Sequence, residues 1–200
     1  PPKRSDVLSV FAGLRPLAAP RSEGKKTKEI SRSHKLIREK SGLITIIGGK
    51  WTTYRKMAQD TLDLAIRYMH IPTKDCITER YQIHGSRKNP DFSDPLYVYG
   101  TDADEIRNLV ASSPAMAEKL HPDYAYTVGE VTWLVRNEMP RTLEDVLARR
   151  LRILFLDARA AMAMAPKVAG ILATEWGKDE TWTSAQVKAF NEVASNYILN

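Results

Sequence analysis

Beyond Pro90 the sequence is a succession of capped amphipathic helices, which restricts the fold more than any other feature. Thr101 stands ahead of Asp104 and the apolar set Ile106, Leu109 and Val110. Thr127-Val-Gly-Glu130 is a capping box before Val131, Leu134 and Val135, and Thr142-Leu-Glu-Asp145 opens a helix that runs through Leu151. Thr183-Ser-Ala-Gln186 opens the last, which carries Val187, Phe190, Val193, Ala194 and Tyr197. Between them a long apolar helix is expected from about Ile153 to Trp176, closed by Gly177. Five or six helices joined by loops this short predict a compact bundle with antiparallel neighbours.

Residues 1–75 follow a different pattern. Asp6 to Leu14 is rich in β-formers and stops at Pro16, which predicts a strand. Arg21 to Lys28 holds no apolar residue and predicts a solvated loop. Glu29 to Lys40 reads as a strand or hairpin arm, turned by Ser41-Gly42 into a buried strand from Leu43 to Ile47. A helix follows, with Met57, Ala58, Leu62, Ala65, Ile66 and Met69 at helical spacing, and ends before Pro72. The expected fold class is α+β, with three or so strands and one helix followed by an all-α bundle. The expected domains are residues 1–75, a linker at 76–95 centred on Gly85-Ser-Arg-Lys-Asn-Pro90, and a helical domain at 96–200.

Charge is placed unevenly. Residues 1–80 hold 17 Lys and Arg against 8 Asp and Glu, whereas residues 81–200 hold 13 against 16. The first part therefore prefers anions: a phosphorylated substrate, a flavin dinucleotide or nucleic acid, which composition does not separate. Arg136, Arg141, Arg149, Arg150 and Arg152 are interleaved with Glu138, Glu144, Asp145 and Asp157 at helical distances, so ion pairs account for them better than a nucleic-acid face. Trp133, Trp176 and Trp182 are expected in the core or an interface.

Cys76 is the only cysteine, so no intrachain disulfide forms and a reducing compartment is expected. With His70, His84 and His121 it has no ligand spacing, and no metal is predicted. Neither a Ser-His-Asp set nor Gly-x-Ser-x-Gly occurs. The richest apolar stretch, Leu151 to Trp176, is interrupted by Arg152, Asp157, Arg159 and Lys167, so any membrane contact would be peripheral. The start at Pro-Pro-Lys-Arg, without Met, is expected of a piece of a longer protein.

The strongest candidate chemistry lies in Leu43-Ile-Thr-Ile-Ile-Gly-Gly-Lys-Trp-Thr-Thr-Tyr-Arg55, a β-branched run that stops at Gly48 and Gly49 and opens into a helix. Such a corner aims free backbone N–H groups and the positive end of the helix dipole at an anion beyond the strand. Lys50 adds a full charge, and the two glycines remove side chains in the way of a ligand. Arg15, held extended by Pro16, offers a fork suited to phosphate or carboxylate, and Arg32 on a neighbouring strand would converge on the same dianion. The plainer alternatives are an ordinary strand–turn–helix corner and two solvated arginines in a basic segment.

Gly-Gly-Lys-Trp-Thr-Thr-Tyr-Arg55, Phe11-Ala-Gly-Leu-Arg-Pro-Leu17, Glu29-Ile-Ser-Arg32 and Arg141-Thr-Leu-Glu-Asp-Val-Leu-Ala-Arg-Arg150, in chain order, resemble FAD-dependent glycerol-3-phosphate dehydrogenases, and only their C-terminal part. The resemblance implies that residues 1–75 are a remnant of the substrate and FAD-binding domains. It also implies a flavin held by Gly48, Gly49, Lys50, Trp51 and Thr52, and glycerol 3-phosphate held by Arg15, Arg32 and Lys50. It further implies quinone or oxygen as electron acceptor and no nucleic-acid partner; peripheral membrane association and a homodimer are open alternatives. The expected location is the cytoplasm, or the inner face of the cell membrane. The family's catalytic histidine should lie upstream, since none of the four here matches it, and its Gly-x-Gly-x-x-Gly fingerprint is absent. The chain alone is thus expected neither to retain FAD nor to be active. Two other classes fit less well: a flavin-dependent oxidase of an amino or hydroxy acid, with Arg15 on the carboxylate, or a non-enzymatic helical module with a basic nucleic-acid-binding arm.

Overall fold

A computed structural model describes residues 1–14, 33–72 and 74–199. They fall into two compact units, one of residues 13–82 and one of residues 83–200 together with residues 1–12.

In the first unit, strands β1 (His34–Arg38) and β2 (Ile44–Gly48) pair antiparallel, with His34 opposite Gly48 and Arg38 opposite Ile44. The hairpin turns at the expected Ser41-Gly42. Gly42 adopts φ 91°, open to glycine at little cost, and Glu39 N–H donates to the Leu43 carbonyl at 2.9 Å. A 3₁₀ turn (Trp51–Thr53) leads into α1 (Tyr54–Met69), which ends with His70 in the left-handed region, two residues short of Pro72. Arg38 lies over the Tyr68 ring at 3.7 Å and ties the far end of the hairpin to the helix.

Two expectations change here. Among the described residues the unit has two strands rather than three, and β2 is half-buried rather than buried. One hairpin and one helix cannot enclose a core, so Leu43, Leu62 and Met69 remain exposed.

The second unit holds α2 (Ala103–Ala111), α3 (Pro114–Ala117), α4 (Val128–Asn137), a π-helical turn (Asp145–Arg150), α5 (Ile153–Leu156), α6 (Ala158–Trp176) and α7 (Glu180–Ser195). The alanine-rich α6 is its axis. Ala161, Met164, Ala165, Val168, Ala169 and Leu172 are fully buried, and the small side chains let α4, α5 and α7 approach closely. Trp133 is buried and Trp176 meets Trp182 edge to face at 5.7 Å, which places the tryptophans as expected.

Side-chain chemistry moves several predicted boundaries. Thr127 caps α4 as expected, its Oγ1 accepting from Glu130 N–H at 3.2 Å. The single helix predicted from Ile153 to Trp176 is two, because Asp157 leaves helical geometry (φ −151°, ψ 102°) and accepts from Ala160 N–H at 2.9 Å. The last helix starts at Glu180, not Thr183: Asp179 accepts from Trp182 N–H at 2.8 Å.

The strand expected from Asp6 to Leu14 is not formed. Residues 4–6 make a 3₁₀ turn, and the extended chain after it sends its hydrogen bonds to helix ends rather than to another strand. Leu8 C=O accepts from Ala158 N–H at 3.1 Å, Val10 N–H donates to Tyr197 C=O at 2.8 Å, and Ser9 Oγ donates to Leu154 C=O at 2.7 Å. Residues 1–12 consequently belong to the helical unit rather than to the hairpin unit.

Candidate functional site

The β2–α1 corner is assembled from backbone conformation first. Gly48 and Gly49 both take positive φ, 74° and 84°, which turns the chain off the strand without steric cost. A Cβ on Gly49 would lie 2.5 Å from Met57 Sδ and 3.2 Å from His34 Cβ. The missing side chain at 49 thus lets α1 close over β1, where the sequence suggested room for a ligand.

Lys50 follows in extended conformation (φ −133°, ψ 151°). Its N–H donates to Thr53 Oγ1 at 3.3 Å, and that hydroxyl donates back to the Lys50 carbonyl at 3.0 Å, so one threonine fixes the residue by both its backbone groups. The side chains of Lys50, Trp51 and Thr52 are all exposed, with Trp51 88% accessible. The Trp51 ring rests near Tyr54 at 5.9 Å. The helix start therefore presents a cation, an accessible indole and the positive end of a 16-residue helix on one surface. These groups suit an anionic ligand with a flat face.

Behind the corner lies a polar set that sequence reasoning missed. His34 Nε2 is 3.0 Å from Asp60 Oδ2, and Lys56 Nζ is 2.9 Å from Asp60 Oδ1. The hydrogen bond from Lys56, assisted by His34, holds the Asp60 carboxyl below its ordinary range. Because His34 pairs with Gly48 in the hairpin, this set joins the end of β2 to the second turn of α1. The i, i+4 spacing of Lys56 and Asp60 was the available signal, while the His34 link needed the hairpin register.

Arg15 and Arg32 lie outside the described residues. Arg136, Arg149 and Arg150 serve the helical unit. Arg149 meets Asp145 Oδ1 at 3.0 Å and Glu144 Oε1 at 2.6 Å, Arg136 grips Glu175 with two contacts of 2.7 Å, and Arg150 donates to the carbonyls of Glu138 and Asp145.

A hairpin that feeds a glycine corner and a helix, joined to a helical domain, is an α+β arrangement. Residues 43–183 match the family described as the C-terminal domain of alpha-glycerophosphate oxidase, and the chain belongs to that family. Similar proteins include "Probable glycerol-3-phosphate dehydrogenase, mitochondrial" of Caenorhabditis elegans, 36% identical over 98% of this chain and 29% of that protein. "Glycerol-3-phosphate dehydrogenase SDP6, mitochondrial" of Arabidopsis thaliana is 32% identical over 97% of this chain and 38% of its own length. "Glycerol-3-phosphate dehydrogenase, mitochondrial" of Mesocricetus auratus is 31% identical over 98% of this chain and 29% of its own. The chain spans about a third of the length of these relatives. All three are named mitochondrial, which overturns the expected cytoplasmic location: an unpaired cysteine reports on redox conditions and does not separate one reducing compartment from another. Among the described residues no helix is long and apolar enough to cross a membrane.

Proposed function

We propose that this chain is the C-terminal region of a mitochondrial, FAD-dependent glycerol-3-phosphate dehydrogenase, which oxidises carbon 2 of sn-glycerol 3-phosphate to give dihydroxyacetone phosphate and passes electrons to quinone or oxygen. The single observation that carries the reading is the β2–α1 corner, with Lys50, Trp51 and Thr52 exposed at a helix start inside the segment matching the family. Exposed Leu43, Leu62 and Trp51 agree with a unit whose remaining surface is covered by more of the same enzyme.

FAD, when bound, supplies the hydride acceptor. Around it the chain's own residues bind and orient. The helix start at Trp51 and Thr52, with the Lys50 side chain beside it, would hold the flavin and supply positive potential that favours its reduced, anionic form. Arg15, Arg32 and Lys50 would hold the substrate phosphate, whose charge suits the arginine forks and the lysine ammonium. Fixing the phosphate holds carbon 2 in place for transfer.

The test is Arg15→Ala in the full-length enzyme. Losing one charge-assisted phosphate contact should cost about 2–3 kcal/mol, roughly 30- to 150-fold in kcat/KM, expressed mainly in KM with flavin content unchanged. Wild-type kinetics would remove Arg15 from the substrate site, and loss of flavin would give it a structural role instead.

A further inference from the structure

We propose that the helical unit binds a small anion carried on a flat aromatic ring, in the cleft where α4 and α6 end and α7 begins. The cleft has a volume of about 600 Å³, in the range of small-molecule sites. Met139 and Arg141 reach it from the chain that follows α4, Trp176 from the end of α6, Lys178 from the connection, and Trp182 from the first turn of α7.

Two indoles make its apolar corner. Trp176 and Trp182 stand at 80° to each other with centroids 5.7 Å apart, so they form an angle rather than a flat wall. A third ring can lie on the face of one and meet the edge of the other, the two geometries that aromatic pairs prefer. Trp133 offers the contrast. Its indole N–H is spent on Glu105 at 3.0 Å, whereas those of Trp176 and Trp182 have no hydrogen-bond partner among the described residues.

Every polar side chain lining the cleft is a donor. The Arg141 guanidinium and the Lys178 ammonium have no partner among the described residues, and no carboxylate lines the cleft. The acidic groups nearest in sequence are committed elsewhere. Glu175 holds Arg136 at 2.7 Å, Asp145 accepts from the N–H groups of Arg141 and Thr142 and pairs with Arg149, and Asp179 accepts from Trp182 N–H at 2.8 Å. Residues 81–200 hold 13 Lys and Arg against 16 Asp and Glu, so a cleft of donors alone runs against the balance of its surroundings. Unspent donors and two positive charges around an apolar corner select an acceptor-rich anion with a flat apolar body.

Met139 adds a flexible edge. Its φ of 47° is left-handed, a conformation costly for a residue with a side chain, and the side chain is 79% accessible. Strain of this kind gathers at ligand clamps, and a thioether makes favourable contacts with an aromatic ring.

The experiment titrates 2-naphthoate and 2-naphthyl phosphate into the full-length, flavin-loaded enzyme by calorimetry, with glycerol 3-phosphate saturating so that the substrate site is closed to them. One molecule should bind per chain, and the tighter of the two identifies the head group. Neutral 2-naphthamide and inorganic phosphate, which keep only the ring or only the charge, should each bind about 10-fold more weakly or worse. Arg141→Gln and Lys178→Gln should each weaken binding by about 10-fold, the loss of one charge-assisted contact, with the melting temperature unchanged because both residues are exposed. Lys188→Gln, which removes an exposed cation of α7 outside the cleft, should leave the affinity as it was. Failure of both naphthyl anions to bind, or an affinity unchanged in both Arg141→Gln and Lys178→Gln, would overturn the proposal. So would an equal loss in Lys188→Gln, which would assign binding to overall charge, or inorganic phosphate binding as tightly as 2-naphthyl phosphate, which would leave the tryptophans no part in it.

Discussion

Gly49 and Lys50 are adjacent in the chain and answer to different constraints, one steric and one electrostatic. At Gly49 both φ 84° and the contact with Met57 oppose any side chain. Gly49→Ala should destabilise the hairpin unit by about 2–4 kcal/mol, from left-handed strain and overpacking together. Truncation at Met57 should recover only the packing share; full recovery in Gly49→Ala with Met57→Ala would mean that the backbone conformation is not strained for alanine. Lys50 is exposed, so Lys50→Met should leave the melting temperature alone. In the full-length enzyme it should lower the flavin's two-electron potential by about 30 mV, equivalent to ~1.4 kcal/mol, and weaken glycerol 3-phosphate binding as well, because one charge stabilises both anions. Unchanged potential and binding would leave an ordinary corner. Lys50 and the glycines were legible in the sequence because charge and φ > 0 are written in residue type. Thr53 and the His34–Asp60 link were not, because each depends on a partner that only the turn or the hairpin register supplies.

Helices were legible where a cap and an apolar period agreed, and misread where a short polar side chain outweighed the period. Apolar spacing runs straight through Asp157, and Thr183 offered a second cap after Asp179, yet each of the two carboxylates captures a backbone N–H and sets the helix start. α4 is the clearest success, and its cap carries a consequence that the pattern did not show. Glu130 is buried, its Oε1 accepting the Tyr99 hydroxyl at 2.7 Å. Burial raises its pKa from 4.5 to about 7, against the opposing pull of the Tyr99 hydroxyl and the Thr127 N–H. A carboxyl whose folded value is raised binds more protons folded than unfolded between those two values. The helical unit should therefore lose stability as pH rises from about 4.5 to 7, by on the order of 2–3 kcal/mol, and stay level above. Glu130→Gln, neutral throughout, should flatten that slope in melts taken across the window. A slope of unchanged size would assign the pH dependence to other groups.

At the scale of the molecule, the two units differ in how completely each satisfies itself. The helical unit encloses a fully buried core, while the hairpin unit buries no residue of its strands or helix. The two units divide near residue 82. Assignment of residues 1–12 to the helical unit was not legible, because β-rich residues predict a strand without naming its partner, and here the partners are helix ends. That assignment sets the last prediction. A polypeptide of residues 83–200 keeps the buried core and the caps at Thr127, Asp157 and Asp179, so it should fold and melt cooperatively. It lacks the partners of Ala158 N–H, Leu154 C=O and Tyr197 C=O, and the Phe11 ring that meets Phe155 edge to face. Three hydrogen bonds and an aromatic contact are worth about 2–4 kcal/mol together. At roughly 4 °C per kcal/mol for a domain of this size, residues 83–200 should melt roughly 10 °C below the helical transition of the 200-residue chain. Circular dichroism at 222 nm separates the outcomes. Equal melting temperatures would show that residues 1–12 add nothing to the unit, and loss of cooperativity would place part of its core upstream of residue 83.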